Sequence, residues 1–338
     1  MHRNRLMPAV ALSFALVTVG AACGSDDDGA DVRNIGEECG GSGSAASGSE
    51  ASGSGASASG GSASGASASG CASGSGSGSG IAGDVEGSST DDPLVQDAVA
   101  EYTTYVAEQV DLTIAETTTF TDAVRAGDVE AAKAAYAPSR QGWERIEPIA
   151  GLVEELDGAM DARVDDFEGV DDPAFTGWHR LEYILWELGS TEGAAEFADK
   201  LDADLQTLKT ELADIEIPPA ALAVGSSELI EEVSTGKITG EEDRYSGTDL
   251  WDFAANVEGS RQAFELLTPA LEAEDPELVT TIQGQFDELE TQLSAYSDGA
   301  GGYQPYSALT DEDKTEMQTT LAALSENLST MAGVLGLE

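Results

Sequence analysis

From Asp91 to the C-terminus, apolar residues recur at intervals of three and four. Leu94, Val95, Val99 and Tyr102 begin the pattern, and this spacing places them on one face of an α-helix. Further helical stretches are predicted over 128–147, 177–188, 192–215, 219–236, 248–273, 276–297 and 309–336. No run alternates polar and apolar residues between turn signals, so no sheet is expected. Roughly 250 residues of amphipathic helix predict an all-α protein, built as one large helical bundle or as two fused four-helix bundles.

The breaks between these helices carry proline and glycine. Pro218–Pro219, Pro276 and the glycine-rich segment SDGAGGYQPYS separate successive stretches. Pro138 lies inside the alanine-rich stretch 128–147. Because proline removes a backbone donor, we expect it to interrupt that helix.

The first 22 residues have the composition of a secretory signal peptide. A cationic start is followed by an apolar run from Met7 to Val19, which is shorter than the roughly 20 residues that a spanning helix needs. Gly20, Ala21 and Ala22 precede Cys23 and resemble a bacterial lipobox, although relatives of this motif usually carry Leu at the position of Gly20. We expect Cys23 to be lipidated, with ordinary cleavage and a free Cys23 as the alternative.

A low-complexity segment separates this leader from the helical part. Apart from Glu50 and Cys71, residues 41–80 are all Gly, Ser or Ala, a composition that cannot bury enough apolar surface to fold. The chain is therefore divided into a signal peptide (1–22), a lipid-anchored acidic leader with a disordered tether (23–88) and a helical domain (89–338).

The charge and the cysteines exclude several functions. The chain has 64 acidic residues against 15 Lys and Arg, for a net charge of −49, which repels nucleic acid and anionic lipid and attracts cations. Cys23, Cys39 and Cys71 all precede the helical part. No CxxC or Cys/His cluster is present, so a thiolate zinc site is not expected.

One histidine remains after the leader is removed. His179 precedes Glu182 by three residues in TGWHRLEYILWEL, and residues at this spacing share a helix face. Glu-x-x-His pairs build metal sites inside ferritin-like bundles, and this pair has the reverse order. By itself the pair is a weak signal, and a solvated or core histidine in a helical ion pair is the more common occurrence.

Acidic side chains recur at helical spacing elsewhere. Glu144 and Glu147 lie three apart, directly before Pro148, where the helix is expected to end or kink. Asp157, Asp161 and Asp165 lie four apart and would form one acidic face if the stretch were helical. Exposed helices in an acidic chain often carry such sets without binding an ion.

Four blocks together resemble the imelysin-like family, and within it the EfeO/EfeM branch of iron-uptake proteins. The blocks are YAPSRQGWERIEPIAGL, DGAMDARVDDFEG, TGWHRLEYILWEL and ITGEEDRYSGTDLWDFAANVEG, and they occur in the family order. The resemblance covers roughly residues 91–338. It implies an all-helical protein of the periplasm or cell envelope. Its partners would be a ferrous or ferric iron permease and a haem-peroxidase-like protein.

The resemblance also implies a ligand set for the metal. Carried over block by block, the ligands are Glu144, Glu147, Asp161, His179, Glu182 and Glu242, with Glu241 as the alternative to Glu242. One imidazole and several carboxylates suit Fe³⁺ or Fe²⁺, and also manganese, calcium or zinc. Long EfeO proteins begin with a cupredoxin-like domain, whereas this chain has the tether there. Relatives often carry His where this chain has Gly247.

Two other functions compete with metal uptake. A polysaccharide-binding surface protein would need exposed aromatic rings, for which Trp143, Trp178 and Trp251 are the candidates. The imelysin family takes its name from a member described as a peptidase, but neither His-Glu-x-x-His nor His-x-x-Glu-His is present. A two-histidine zinc peptidase site therefore cannot form.

Overall fold

A computed structural model describes Val85 and residues 88–337 of the chain. The predicted signal peptide, Cys23, Cys39, Cys71 and the Gly/Ser/Ala segment 41–80 lie outside these residues. The described part is helical throughout and contains no β-strand, apart from one isolated bridge between Ser297 and Tyr303. The prediction of an all-α protein is confirmed. None of the described helices is long and apolar enough to cross a membrane.

The α-helices are numbered here in chain order. They are α1 (Pro93–Ala126), α2 (Val129–Glu144), α3 (Glu154–Met160), α4 (Gly177–Trp186), α5 (Ala195–Asp214), α6 (Pro219–Thr235), α7 (Asp249–Glu274), α8 (Pro276–Ser294), α9 (Asp311–Leu328) and α10 (Met331–Val334). Short 3₁₀ turns cover Glu147–Val153, Val164–Asp166, Lys237–Thr239 and Tyr306–Ala308.

The long helices form two four-membered groups. In the first group α1 packs on α2 and α5, and α4 packs on both of those. In the second group α6 and α8 each pack on α7 and α9. Helix α7 also contacts α1 and α2, so it joins the groups. The structure thus has the arrangement of two fused four-helix bundles, with a continuous apolar core.

Local signals fix where the first helices begin and end. The Asp92 side chain accepts a hydrogen bond from the Leu94 amide at the start of α1, which is the usual role of an N-cap aspartate. Gly127 ends α1 with a φ of 76°, a conformation that glycine adopts without strain. Asp128 then caps α2. The tight connection makes α1 and α2 antiparallel neighbours.

The expectation that Pro138 interrupts the second helix is wrong. Pro138 lies inside α2, which continues to Glu144. The carbonyl that loses its donor belongs to Ala134, an exposed residue, so water can satisfy it at little cost. The buried Ser139 hydroxyl meanwhile donates to the Tyr136 carbonyl at 2.6 Å. The helix tolerates the proline because the missing bond falls on its solvent side.

Asp157, Asp161 and Asp165 do not share one helical face. Asp157 lies in α3, which ends at Met160, and Asp161 immediately follows that helix. Asp165 belongs to the next 3₁₀ turn and is exposed. Only Asp157 and Asp161 point into the protein, where both are buried.

Candidate metal centre

Nine carboxylates are buried in the part of the chain that the structure describes. We call them the acidic cluster; they are Glu144, Glu147, Asp157, Asp161, Glu182, Glu242, Asp243, Asp249 and Asp252. The fully or nearly fully buried cations of the same region are Arg140 and Lys237, together with the imidazole of His179. Buried charges are costly unless they are paired. The geometry of the cluster therefore depends on which carboxylate forms an ion pair with each cation.

Arg140 lies at the centre of the acidic cluster and is completely buried. Its Nη2 donates to Glu144 Oε1 at 2.5 Å, and its Nε donates to Asp252 Oδ2 at 2.9 Å. Its Nη1 hydrogen bonds to Asp161 Oδ1. One guanidinium on α2 therefore holds carboxylates from α2, from the segment after α3 and from α7.

Lys237 holds the two glutamates at the end of α2. Its Nζ lies 2.8 and 2.7 Å from the two carboxylate oxygens of Glu147 and 3.3 Å from Glu144 Oε2. Asn256 Nδ2 donates to Glu144 Oε2 at 2.9 Å and to Glu147 Oε2 at 2.7 Å. Helix α2 ends at Glu144 as the Pro148 signal predicted, and the turn places Glu147 beside the same cation.

His179 lies between two pairs of carboxylates, with 2% of its surface exposed. Its Nε2 lies 3.6 Å from Asp161 Oδ1 and 3.6 Å from Glu242 Oε1. On the other side of the ring, Nδ1 lies 3.3 Å from Glu182 Oε2 and 4.0 Å from Asp243 Oδ1. Either pair, with the facing nitrogen, brings three donor atoms within 4.8 Å of one another. Both arrangements have the spacing of a metal site.

A glycine explains why His179 meets Asp161. Gly177 opens α4 with a φ of 76°, and a Cβ there would lie 1.9 Å from the Met160 carbonyl oxygen. The start of α4 can therefore pack directly on the end of α3. This contact places His179, two residues after Gly177, beside Asp161, one residue after Met160.

The charges of the site shift several pKa values. Burial and the Arg140 guanidinium lower the pKa of His179, but the nearby carboxylates of Glu182, Glu242 and Asp161 raise it by more, to about 10. Burial opposes ionisation of Glu242, but Lys237 and His179 hold its pKa well below the usual range. Burial raises the pKa of Glu144 well above its usual range, against the opposing charge of Lys237. The Nε2 side of the ring thus pairs a protonated imidazole with an ionised carboxylate.

The six ligands that the resemblance implied occupy different parts of this cluster. Asp161, His179 and Glu242 meet at Nε2, whereas Glu182 faces Nδ1. Glu144 and Glu147, in contrast, contact Arg140, Lys237 and Asn256. Glu242 is buried and Glu241 is exposed, so only Glu242 belongs to the acidic cluster.

Sequence reasoning missed the buried cations Arg140 and Lys237 and the carboxylate of Asp252. Arg140 precedes Glu144 by four residues, a helical spacing at which opposite charges pair, and this signal was available. Asp252 lies on the first turn of α7, four residues before Asn256. Nothing in the spacing of Lys237 relates it to Glu147, because 90 residues separate them.

The aromatic candidates for sugar binding are mostly internal. Trp143 and Trp178 are 1% and 0% exposed, so neither ring can stack on a polysaccharide. Trp251 is half-buried, and its ring packs against Tyr303 and against the backbone of Gly302. The three rings serve packing.

A family model described as Imelysin matches residues 98–331, a range that contains all six predicted ligands. The chain belongs to the imelysin family. It is similar to proteins named "Iron uptake system component EfeO" from Escherichia coli O157:H7, Escherichia coli strain K12 and Shigella flexneri. Each is 44% identical over 262 residues, which cover 75% of this chain and 70% of the relative. Membership of the imelysin family confirms the resemblance that the four blocks indicated.

Proposed function

We propose that this imelysin-family protein is the iron-binding component of an uptake system outside the cytoplasm. The ion would bind at His179 Nε2 with Asp161 and Glu242. The main support is the geometry around one buried atom: Nε2 lies 3.6 Å from both Asp161 Oδ1 and Glu242 Oε1, too far for a well-formed hydrogen bond to either. A buried polar atom with only such long contacts is costly, and an ion shared by these three donors would reduce that cost.

The charge balance of the acidic cluster favours the same function. Nine carboxylates are buried in the same region as Arg140, Lys237 and His179. Burial raises the pKa of several of them, including Glu144 and Asp252, and a bound cation would compensate those that stay ionised. Carboxylate oxygens with one imidazole nitrogen form a hard donor set that suits iron and manganese better than copper(I). The relatives' name, iron uptake system component, points to iron as the cargo. Manganese, zinc and calcium are the competing ions to be compared.

Loading and release would require the protein to open locally. Asp161 and His179 are each 2% exposed, and so is Glu242, so an ion cannot reach them by diffusion through the closed structure. Asp161 and Glu242 lie in two irregular segments that an exposed ion pair, Arg244 with Asp165, holds together. Separation of these segments would expose the Nε2 side of the ring.

The leader sequence and Cys23 support a location outside the cytoplasm. The leader 1–22 would export the chain, and lipidation at Cys23 would anchor it to the outer face of the cytoplasmic membrane. The domain would pass its ion to a membrane permease, and a haem-peroxidase-like protein would act in the same system. No contact with nucleic acid is expected from so acidic a chain.

Calorimetric titration of the purified protein with Fe²⁺ under anaerobic conditions, and with Fe³⁺ citrate, tests the proposal. We expect saturable binding that His179→Ala weakens by about tenfold or more, because the variant removes the only nitrogen donor. Glu242→Gln should weaken binding similarly, whereas Glu241→Gln, at the exposed neighbouring position, should not. Equal iron binding by wild type and His179→Ala would exclude this site.

A further inference from the structure

Both carboxylate oxygens of Glu182 are already engaged. Oε1 accepts hydrogen bonds from the backbone amides of Tyr245 and Ser246, at 2.9 and 2.7 Å. Oε2 lies 3.3 Å from His179 Nδ1. The side chain of Glu182 is 1% exposed, so water does not compete for these contacts. The two amide bonds come from the backbone, so Glu182 could ligate an ion only through Oε2, the oxygen that faces Nδ1.

We propose that Glu182 is a positioning residue rather than a metal ligand: it accepts the Nδ1–H of His179 and so leaves Nε2 as the nitrogen that binds the ion. The inference rests on the proposed function, and it differs from the set in which His179 and Glu182 both ligate. Histidines that bind metals usually donate their other ring N–H to a carboxylate or carbonyl, which fixes the tautomer and the ring orientation. Glu182 has the geometry of that second partner.

The two sides of the ring differ in how their carboxylates are used. On the Nδ1 side, Asp243 Oδ1 accepts from the Tyr136 hydroxyl at 2.8 Å, and its Oδ2 accepts from Thr248 Oγ1. On the Nε2 side, Asp161 Oδ1 and Glu242 Oε1 accept from Arg140. Glu242 Oε2 has no hydrogen bond from any residue of the described range, although Arg163 Nη1 lies 3.4 Å away. The atoms with the longest contacts, Nε2 and Glu242 Oε2, therefore belong to His179 and Glu242 on the side away from Glu182.

Glu182 also connects the ring to the segment that carries Glu242. Tyr245 and Ser246 follow Glu242 by three and four residues, in the irregular stretch before α7. Their amides bind the same carboxylate that meets Nδ1. One side chain on α4 thus orients the imidazole and holds the segment that brings Glu242 to the opposite nitrogen.

The proton balance of this arrangement is simple. When the ion binds, the Nε2 lone pair forms the new bond and any proton on Nε2 leaves to solvent. The proton on Nδ1 stays and is shared with Glu182 Oε2. Binding on the Nδ1 side would instead require the loss of that proton and of the contact with Glu182.

Nitrogen NMR distinguishes ion binding at Nε2 of His179 from ion binding at Nδ1. The full chain, with His2→Asn so that His179 is the only imidazole, is labelled with ¹⁵N-histidine and titrated with Zn²⁺ or Ga³⁺ as diamagnetic probes. We expect the Nε2 resonance to shift on saturation while Nδ1 keeps its directly bonded proton. A metal-induced shift at Nδ1 with a protonated Nε2 would overturn the inference. No response at either nitrogen with both ions would count against the metal site itself.

Glu182→Gln provides the second measurement. The Gln carbonyl can still accept from Tyr245 and Ser246, but its amide donates to Nδ1 and drives the proton to Nε2. We expect a loss of Zn²⁺ affinity of about 10- to 100-fold, the usual effect of removing such a partner, and an Nε2–H tautomer in the spectrum. Glu241→Gln is the matched control and should keep the wild-type spectrum. Unchanged Zn²⁺ affinity in Glu182→Gln would refute the positioning role.

Discussion

Lys237 and Glu147 form a buried ion pair across the join between the two helical bundles, with Nζ 2.8 and 2.7 Å from the two carboxylate oxygens. Glu147 lies in the turn after α2, and Lys237 lies in the turn after α6. Burial opposes the charge on Lys237, but Glu144, Glu147 and Glu242 raise its pKa well above the usual range. The lysine is therefore charged, and it contributes to stability by compensating these carboxylates.

Replacing Lys237 with Met should destabilise the protein by about 3–5 kcal/mol, because the change leaves buried carboxylates without their cation. Urea denaturation followed by circular dichroism measures the free energy of unfolding. Lys209→Met removes an exposed lysine that pairs with Asp111, and it should cost at most about 1 kcal/mol. Equal losses in the two variants would show that Lys237 does not compensate the acidic cluster.

Gly177→Ala should damage both the fold and the ion site. The new Cβ would meet the Met160 carbonyl oxygen at 1.9 Å, so α4 would have to move away from α3 and carry His179 away from Asp161. Gly193→Ala is a close control, because its φ is 77° and its Cβ would meet no atom within 4 Å. We expect Gly177→Ala to be less stable than the control by more than about 1 kcal/mol, and to bind iron more weakly. Equal melting temperatures and affinities would contradict the packing role of Gly177.

Ion binding should release a proton from His179. The pKa of this imidazole is raised to about 10, so it is protonated at neutral pH, and the ion must displace the proton from Nε2. Affinity should therefore fall as the pH falls, by about tenfold per pH unit for one released proton. Calorimetry with Zn²⁺ in buffers of different ionisation enthalpy counts the protons. His179→Ala should release one fewer, and identical affinities at pH 6 and pH 8 would contradict the prediction.

Arg244→Gln should speed the exchange of bound ion. Arg244 Nη1 lies 3.2 Å from Asp165 Oδ1, and this pair joins the segments that carry Asp161 and Glu242. An exposed pair contributes little to stability, so we expect an unchanged melting temperature and an ion dissociation rate about two- to fivefold higher. Stopped-flow transfer of the ion to a chelator measures the rate. Arg261→Gln is the control: it removes an arginine paired with Glu265, Asp287 and Glu290 on α7 and α8. This variant should leave the ion dissociation rate unchanged.

Helical periodicity was sufficient to predict most of this fold. The stretch 219–236 corresponds to α6, and 276–297 to α8 with its following turn, because each is an amphipathic segment bounded by proline or glycine. Pro138 was misjudged, since its effect depends on whether Ala134 faces solvent, and that is decided by the neighbouring helices. Local sequence does not contain this information.

The candidate site was predictable only in outline. His179 and Glu182 share a helix face as the spacing indicated. Helical periodicity does not show whether Glu182 contacts Nδ1 of His179 or shares an ion with it. The amides that bind Glu182 belong to Tyr245 and Ser246, more than 60 residues away. The pairing of Glu147 with Lys237 is likewise a product of the tertiary fold. Long-range contacts of this kind are set by how the bundles pack.

Asp161 and His179 lie in the first half of the helical part, whereas Glu242 lies between α6 and α7 of the second bundle. A cation shared by these three side chains would therefore crosslink the two helical bundles. Release of the cation would weaken the contact between the bundles beside α7. A partner protein that contacts both bundles could thus distinguish the ion-loaded protein from the ion-free protein without contacting the ion.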